Sequence, residues 1–204
     1  MSKRALSNRA IGNNALWLKD YLELYRQAIF DDNGLFESLI QVREMWEEVR
    51  TNRKKVIFVG NGGSAAIASH CAVDLTKNTG IRGVDFNEAS LITCFSNDYG
   101  YANWVAEAIR CYADDGDVAV LISSSGRSPN ILSAAAQTNR SGLSVVTFSG
   151  FDSDNPLREC GSVNLWVRSH VYNVVEMTHH IWLVAVIDMI AEKYSPKCKP
   201  GGFK

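Results

Sequence analysis

The chain has 204 residues, 46% of them hydrophobic and 21% charged, and its net charge of −1 argues against nucleic acid or an anionic membrane as a partner. The polar segment 1–14 does not suit a signal peptide, and the longest apolar run, 181–187, does not approach the length of a membrane span. Five cysteines without a CxxC spacing predict reduced thiols, so we expect a cytoplasmic protein without a disulfide framework.

Residues 1–52 predict a helical hairpin that belongs to the same domain as the rest of the chain. Two apolar stripes at helical spacing lie on either side of a polar break at residues 31–34. The stripes are Leu18, Tyr21, Leu22 and Tyr25, followed by Leu35, Leu39, Val42, Trp46 and Val49. The apolar character of this hairpin indicates self-association.

Residues 53–195 predict an α/β fold, with 196–204 as a C-terminal tail. Five short, mostly apolar runs occupy residues 56–59, 91–95, 118–122, 145–148 and 163–167, and a long closing helix is expected at 173–193. Apolar strands that alternate with helix-length segments indicate a doubly wound, mainly parallel five-stranded sheet flanked by helices. Ligands bind such sheets at the carboxyl ends of the strands.

The first predicted strand ends in the sequence GNGGS at residues 60–64. Glycines let the backbone approach a ligand closely, Ser64 is expected to cap the next helix, and free amides at a helix start favour an anion. Neither GxGxxG nor GK[ST] is present, so no nucleotide cofactor is expected. A tight turn with a good helix cap is the alternative.

His70 and Asp74 lie four residues apart in the helix that follows and therefore share one face. His70 is roughly 9 Å beyond Ser64 along that helix, a distance comparable to an extended sugar phosphate. The pair therefore suits the reacting end of such a ligand. An ordinary pair at the protein surface is the alternative.

The third predicted strand, 118–122, runs into a serine-rich segment. Four serines and a glycine lie within residues 123–128, where hydroxyls and amides suit a phosphate group. Ser128 precedes Pro129, as expected of a helix cap followed by proline at the first helical position. A polar loop before a capped helix is the alternative, but a second polar strand end in one sheet favours a phosphate site.

Three motifs carry a resemblance to a known family: GNGGS at 60–64, SNDYGY at 96–101 and ISSSGRS at 122–128. Together they resemble the sugar isomerase (SIS) domain family, and bacterial phosphoheptose isomerases most of all, over about residues 35–190. The resemblance implies isomerisation of sedoheptulose 7-phosphate to D-glycero-D-manno-heptose 7-phosphate through an enediol, in heptose supply for lipopolysaccharide or capsule. It also implies a homotetramer with sites at subunit interfaces.

The resemblance assigns roles to individual residues. It implies phosphate binding by Ser123, Ser124, Ser125 and Ser128, and further substrate contacts by Asn61, Gly62, Ser64, Asp98 and Glu176. It implies possible zinc ligands at His70, Asp74, Glu176 and His180. Asp74, where the family has a glutamate, is the expected base, and His179 or His180 the expected acid. In the preferred register Val184 stands where the family has a histidine, and a shift of one residue puts Leu183 there. Neither side chain can transfer a proton.

Two other functions remain open from the sequence. One is isomerisation of a different sugar phosphate. The other is a non-catalytic SIS protein that senses a sugar phosphate or binds a protein partner, as the DnaA initiator-associating protein does. The serine segment fits all three functions. Val184 favours a non-catalytic protein or a changed chemistry, whereas His70 and Asp74 favour an enzyme.

Overall fold

The computed structural model describes residues 3–30 and 34–194, with side chains at 13–30 and 34–192. The helices are α1 (Lys3–Ile29), α2 (Leu35–Thr51), α3 (Gly63–Thr79), α4 (Ala89–Tyr99), α5 (Trp104–Tyr112), α6 (Pro129–Arg140) and α7 (Tyr172–Tyr194), with a 3-10 turn at Pro156–Glu159. The strands are β1 (Lys55–Gly60), β2 (Arg82–Asp85), β3 (Val118–Ser123), β4 (Ser144–Ser149) and β5 (Val163–Trp166). The predicted polar break, except Gly34, and the tail 196–204 lie outside the described residues.

The predicted apolar stripe of α2 is its buried face. All five predicted positions, Leu35, Leu39, Val42, Trp46 and Val49, are buried. Trp46 meets Phe58 of β1 edge to face, with ring centroids 5.6 Å apart. The indole of Trp182 in α7 donates to the carbonyl of Ile29 at 3.1 Å, so the hairpin is fixed to the body of the fold.

The five strands form one parallel sheet in the order β2-β1-β3-β4-β5. Alternate residues of β1 enter different cores: Val56 and Phe58 pack on the side of α2, α3 and α7, while Ile57 and Val59 face α5 and α6. Helices thus cover both faces, which confirms the predicted doubly wound sheet.

One predicted strand is wrong. Residues 91–95 lie in α4, whose first turn is capped by the Glu88 carboxylate through the amides of Ser90 and Leu91. One face of α4 packs half-buried against the core and carries Leu91, Ile92 and Phe95. The apolar run that is typical of a strand is therefore one side of a helix. The strand that sequence analysis missed is β2, an edge strand without a fully buried residue.

The hydropathy of α7 differs from expectation. Its segment Tyr172–Glu192 is long and apolar enough to cross a membrane by length and composition, whereas the sequence analysis found no such stretch. More than half of the most apolar part is buried inside the fold, where Val174, Leu183 and Ile187 join the core. A helix enclosed in this way needs apolar residues on most of its sides, which accounts for its composition.

The strand order places two loops beside one crevice. The chain leaves β1 toward β2 on one side and continues from β3 toward β4 on the other. The carboxyl ends of β1 and β3, which are neighbours with Gly60 opposite Ile122, therefore flank the point where the winding reverses. Ligands of open α/β sheets bind at this switch point. Both polar segments singled out in the sequence begin here.

Candidate functional site

The loop after β1 turns back sharply on itself. A Cβ at Gly60 would lie 2.5 Å from the carbonyl carbon of Ser64, so a side chain does not fit there. Helix α3 begins at Gly63, and its N-cap is Gly62 with φ 55°. Ser64 therefore lies inside the first turn, where its side chain is buried. The expectation that Ser64 caps this helix was wrong, because the helix starts one residue earlier than the serine.

Asn61 connects the two loops of the crevice. Its Nδ2 donates to Asn130 Oδ1 at 2.9 Å, and Asn130 Nδ2 donates to Asn61 Oδ1 at 2.8 Å. The hydroxyl of Tyr101 donates to the same Asn61 oxygen at 3.2 Å. Asn130 and Tyr101 were not assigned a role from the sequence, although Tyr101 ends the SNDYGY motif and Asn130 follows the serine segment. The site predicted at two separate strand ends is thus one connected surface.

The serine loop, residues 123–128, is folded around its own hydroxyls. Ser123 Oγ and Ser128 Oγ are 3.0 Å apart, and Ser125 Oγ accepts from the amide of Arg127 at 3.2 Å. Gly126 has φ +62°, a conformation that favours glycine. Ser128 is the N-cap of α6 and Pro129 its first residue, as predicted. Pro129 has no N–H, and the amides of Ile131 and Leu132 donate to the Ser128 carbonyl. Because the Ser128 hydroxyl makes no capping bond, the backbone amide of Asn130 remains available to an anion at the start of α6.

Ser124 is the serine that most directly indicates a ligand. Its Oγ is buried and has no hydrogen-bond partner among the described residues. A buried hydroxyl without a partner is unfavourable, so an acceptor bound in the loop would satisfy it. The nearby cation, Arg127, pairs instead with Asp154 at 3.0 Å and with Asp152 at 3.7 Å. The groups of this loop that suit an anion are therefore its hydroxyls and the backbone amide of Asn130 rather than the paired Arg127.

A hydrogen-bonded cluster joins α3 to α7. His70 Nδ1 lies 2.6 Å from His180 Nε2, and His70 Nε2 lies 3.2 Å from Asp74 Oδ2. When the Asp74 carboxylate accepts from His70, the other nitrogen of that ring accepts from His180. Burial, followed by the charge of His70, lowers the pKa of His180. The side chain of His70 remains half exposed, so the cluster is accessible from outside.

His179 lies on another side of α7. It is fully buried, and its Nε2 is 2.9 Å from the carbonyl oxygen of Ser149, to which it donates. Burial lowers the pKa of His179 to about 4. Neighbouring helix residues point about 100° apart, so His179 faces the core when His180 faces α3. This placement contradicts the catalytic assignment of His179 and leaves His180 as the candidate acid.

Glu176 contacts the loop after β1, here called the first loop, rather than His70 or His180. A Cβ at Gly63 would lie 2.7 Å from its Oε1, so the carboxylate rests against the start of α3. Burial raises the pKa of Glu176. Glu176 therefore lies against Gly63 at the start of α3, and its predicted substrate contact stays a prediction.

Asp98 lies at the exposed end of α4. Its carboxylate accepts from Asn97 Nδ2 at 2.9 Å and lies 3.9 Å from Cys94 Sγ, and both neighbours belong to the same helix. These contacts do not connect Asp98 to either loop within one chain. Its predicted contact with substrate stays a prediction.

The predicted zinc ligands do not converge. Within residues 13–30 and 34–192, no three His, Cys, Asp or Glu side chains are arranged to hold a metal ion. Both ring nitrogens of His70 face protein partners, His180 and Asp74, while Glu176 rests against the first loop. Protein zinc sites have three or four donors around one point. The residues as placed therefore do not fit a zinc ion.

Comparison with known proteins agrees with this architecture. The model of the SIS domain family matches residues 33–150. The phosphoheptose isomerase of Campylobacter concisus is 30% identical over 183 residues, covering 87% of this chain and 96% of the relative. That of Fusobacterium nucleatum is 32% identical over 139 residues, covering 66% and 71%. The structure of phosphoheptose isomerase GmhA from Neisseria gonorrhoeae superimposes with a TM-score of 0.76 at 26% identity, covering 91% of this chain and 99% of that one.

Proposed function

Because the chain belongs to the SIS domain family, we propose that it is an aldose–ketose isomerase that converts sedoheptulose 7-phosphate to D-glycero-D-manno-heptose 7-phosphate. The observation that carries this function is the meeting of two polar loops at the switch point, held together by the amide pair of Asn61 and Asn130. The phosphoheptose isomerases of Campylobacter concisus and Neisseria gonorrhoeae align with this chain over nearly their whole length. The proposed product would supply heptose for lipopolysaccharide or capsule in the cytoplasm.

The serine loop binds the phosphate of the sugar. Its hydroxyls and the backbone amide of Asn130 at the start of α6 surround the phosphate oxygens, and the unpartnered Ser124 Oγ donates one of the bonds. The sugar then extends along the crevice toward Asn61, where Glu176 and the start of α3 border the bound chain of carbons. Glu176 and Asn61 accept from or donate to the hydroxyls of the sugar.

The His70 cluster carries the proton transfers. Asp74 removes a proton from the carbon next to the ketone, and an enediol forms as the carbonyl oxygen gains a proton. Asp74 returns the proton to the adjacent carbon, which yields the aldose. His70 fixes the Asp74 carboxylate at 3.2 Å, and His180, 2.6 Å from His70, exchanges protons with the sugar oxygens. A general acid or base of this kind contributes roughly 10²–10⁴-fold to the rate.

Substitution of Ser124 tests the phosphate site. We expect Ser124→Ala to raise the KM for sedoheptulose 7-phosphate roughly 10- to 100-fold, because a hydrogen bond to a charged group is worth about 1.5–3 kcal/mol. The kcat should change much less, since the phosphate is held equally in ground and transition states. Steady-state kinetics with NMR detection of the product would measure both constants.

Ser133→Ala is the matched control for Ser124→Ala. Ser133 lies in α6, and its hydroxyl donates to Asn103 Oδ1 at 3.3 Å. We expect its KM and kcat to match those of the unsubstituted chain. An unchanged KM in Ser124→Ala would contradict the phosphate site, and absence of turnover in the unsubstituted chain would contradict the isomerase.

We further propose that the chain acts as a homotetramer with sites at subunit interfaces. The helical hairpin exposes many large apolar side chains: Leu16, Trp17, Leu18, Leu22, Leu24, Phe30, Phe36 and Ile40. A monomer rarely leaves so extensive an apolar surface in water. In such an assembly, the exposed Asp98 could contact the substrate of a neighbouring subunit.

A further inference from the structure

We propose that Asn155, which lies outside the serine loop, is a positioning residue for that loop. The inference rests on the proposed role of residues 123–128 in phosphate binding. Asn155 follows β4 and directly precedes the 3-10 turn at Pro156–Glu159. Its side chain is almost completely buried, although an asparagine between two elements is ordinarily exposed. Its contacts on both sides account for this burial.

The donor side of Asn155 fixes the segment that leaves β4. Its Nδ2 lies 3.3 Å from Ser149 Oγ, 3.1 Å from the Gly150 carbonyl and 2.8 Å from the Asp152 carbonyl. The amide of Gly150 in turn donates to the carbonyl of Ser124 at 2.9 Å. The segment that Asn155 holds is therefore hydrogen-bonded to the serine that has the unpartnered hydroxyl.

The acceptor side of Asn155 lies directly against Gly126. A Cβ built on Gly126 would overlap the Oδ1 and Cγ of Asn155, so a Cα–H of the glycine points at the amide oxygen. This oxygen has no N–H or O–H partner among the described residues, and the contact is of the weak Cα–H···O kind. The amide of Leu157 also donates to the Gly126 carbonyl, at 3.3 Å.

Asn155 thus supports the loop at two points on either side of Ser125. It holds the backbone of Ser124 in place through Gly150, and it holds the left-handed conformation of Gly126 by direct contact. Only a side chain with a donor on one branch and an acceptor on the other satisfies both neighbours. An aspartate in this place would turn an oxygen toward the carbonyl oxygens of Gly150 and Asp152, which only accept, so the loop would shift although the size of the side chain is kept.

The test uses Asn155→Asp and Asn155→Ser in the full chain. We expect Asn155→Asp to raise both the KM for sedoheptulose 7-phosphate and the Kd for inorganic phosphate by roughly tenfold or more, with kcat changed less than about threefold. Asn155→Ser keeps one donor and should give intermediate values. Calorimetric titration with inorganic phosphate measures the Kd, and thermal unfolding shows the folded fraction of each variant.

Asn164→Asp is the matched control. Asn164 also closes a loop. Its Nδ2 donates to the Gly161 carbonyl at 2.8 Å, and its Oδ1 accepts from Thr147 Oγ1 at 2.6 Å. Neither contact involves the serine loop. We expect Asn164→Asp to lower the melting temperature without changing the phosphate Kd. If Asn155 positions the serine loop, only the Asn155 variants should raise the phosphate Kd. If the variants act only through a general loss of stability, Asn164→Asp should raise the Kd as well.

The outcomes separate this inference from the proposed function. If the unsubstituted chain binds neither sedoheptulose 7-phosphate nor inorganic phosphate, both are overturned. If it binds them and folded Asn155→Asp binds them equally well, only the role of Asn155 is overturned. Should Asn155→Asp fail to fold, Asn155→Ser decides by the same criterion. Binding that declines only in proportion to the unfolded fraction would also overturn positioning.

Discussion

His179 and His180 are adjacent in sequence but lie in opposite environments. His180 meets His70 at 2.6 Å across the interface of α3 and α7, while His179 is enclosed beside Phe148 and Trp182. The sequence favoured neither as the acid, because the rotation of a helix about its axis is decided by packing. The structure places His180 in the cluster with His70 and Asp74, and it places His179 in the core.

The buried His179 makes a pH-dependent contribution to stability. Its folded pKa is about 4, below the ordinary 6.5, so between these values the unfolded chain binds a proton that the folded chain excludes. The free energy of unfolding should therefore be unaffected by His179 above pH 6.5 and decline as pH falls toward 4. The expected decline is about 3 kcal/mol over this window, at roughly 1.4 kcal/mol per pH unit.

Urea unfolding at neutral and acidic pH would measure this contribution. His179→Gln keeps a donor for the carbonyl of Ser149 but has no group that titrates in this range. We expect the loss of stability on acidification to be smaller in this variant by most of that amount. Equal losses in the two proteins would show that His179 is not held neutral by burial.

The turn from β1 to α3 has two glycines with different neighbours. A Cβ at Gly60 would meet the backbone of Ser64, which moves only if α3 moves. A Cβ at Gly63 would meet the carboxylate of Glu176, the end of a flexible side chain. We expect Gly60→Ala to lower the free energy of unfolding by about 1–3 kcal/mol, and Gly63→Ala to lower it less.

The two glycine variants should also differ in catalysis. Because Gly63→Ala displaces Glu176 from the first loop, we expect its kcat/KM to decrease while most of its stability is kept. Urea unfolding and steady-state kinetics on both variants would measure the two effects. A Gly63→Ala protein with unchanged kcat/KM would contradict a substrate contact by Glu176, and a Gly60→Ala protein of full stability would contradict the close turn.

The elements also show what sequence periodicity can predict. Buried strands such as β1 and β3 were found because they are continuous apolar runs, and the polar loops stood out at their ends. Residues 91–95 were misread because α4 half-buries its apolar face, and β2 was missed because an edge strand needs no apolar run. The pairing of Asn61 with Asn130 depends on how two distant loops meet, which a single sequence does not encode locally.

The helical hairpin is a region where the single chain leaves many large apolar side chains exposed. Trp17 is 61% exposed and stacks on Tyr21 at a centroid distance of 5.1 Å. If this surface is a subunit interface, Trp17→Glu should shift the chain from a tetramer to smaller species, because burying an unpaired carboxylate is unfavourable. Size-exclusion chromatography with light scattering would measure the mass, and Trp17→Phe is the apolar control. A monomeric unsubstituted chain would contradict the proposed assembly.

Asp74 is the proposed base, and it acts on a sugar bound at the switch point. The most direct measurement follows sedoheptulose 7-phosphate by NMR in D2O with the unsubstituted chain and with Asp74→Asn. We expect the unsubstituted chain to form the aldoheptose phosphate with deuterium from solvent at C2, and Asp74→Asn to be slower by roughly 10²–10⁴-fold. Failure of the unsubstituted chain to convert the sugar, although it still binds the sugar, would contradict the isomerase. Equal rates in the two proteins would contradict Asp74 as its base.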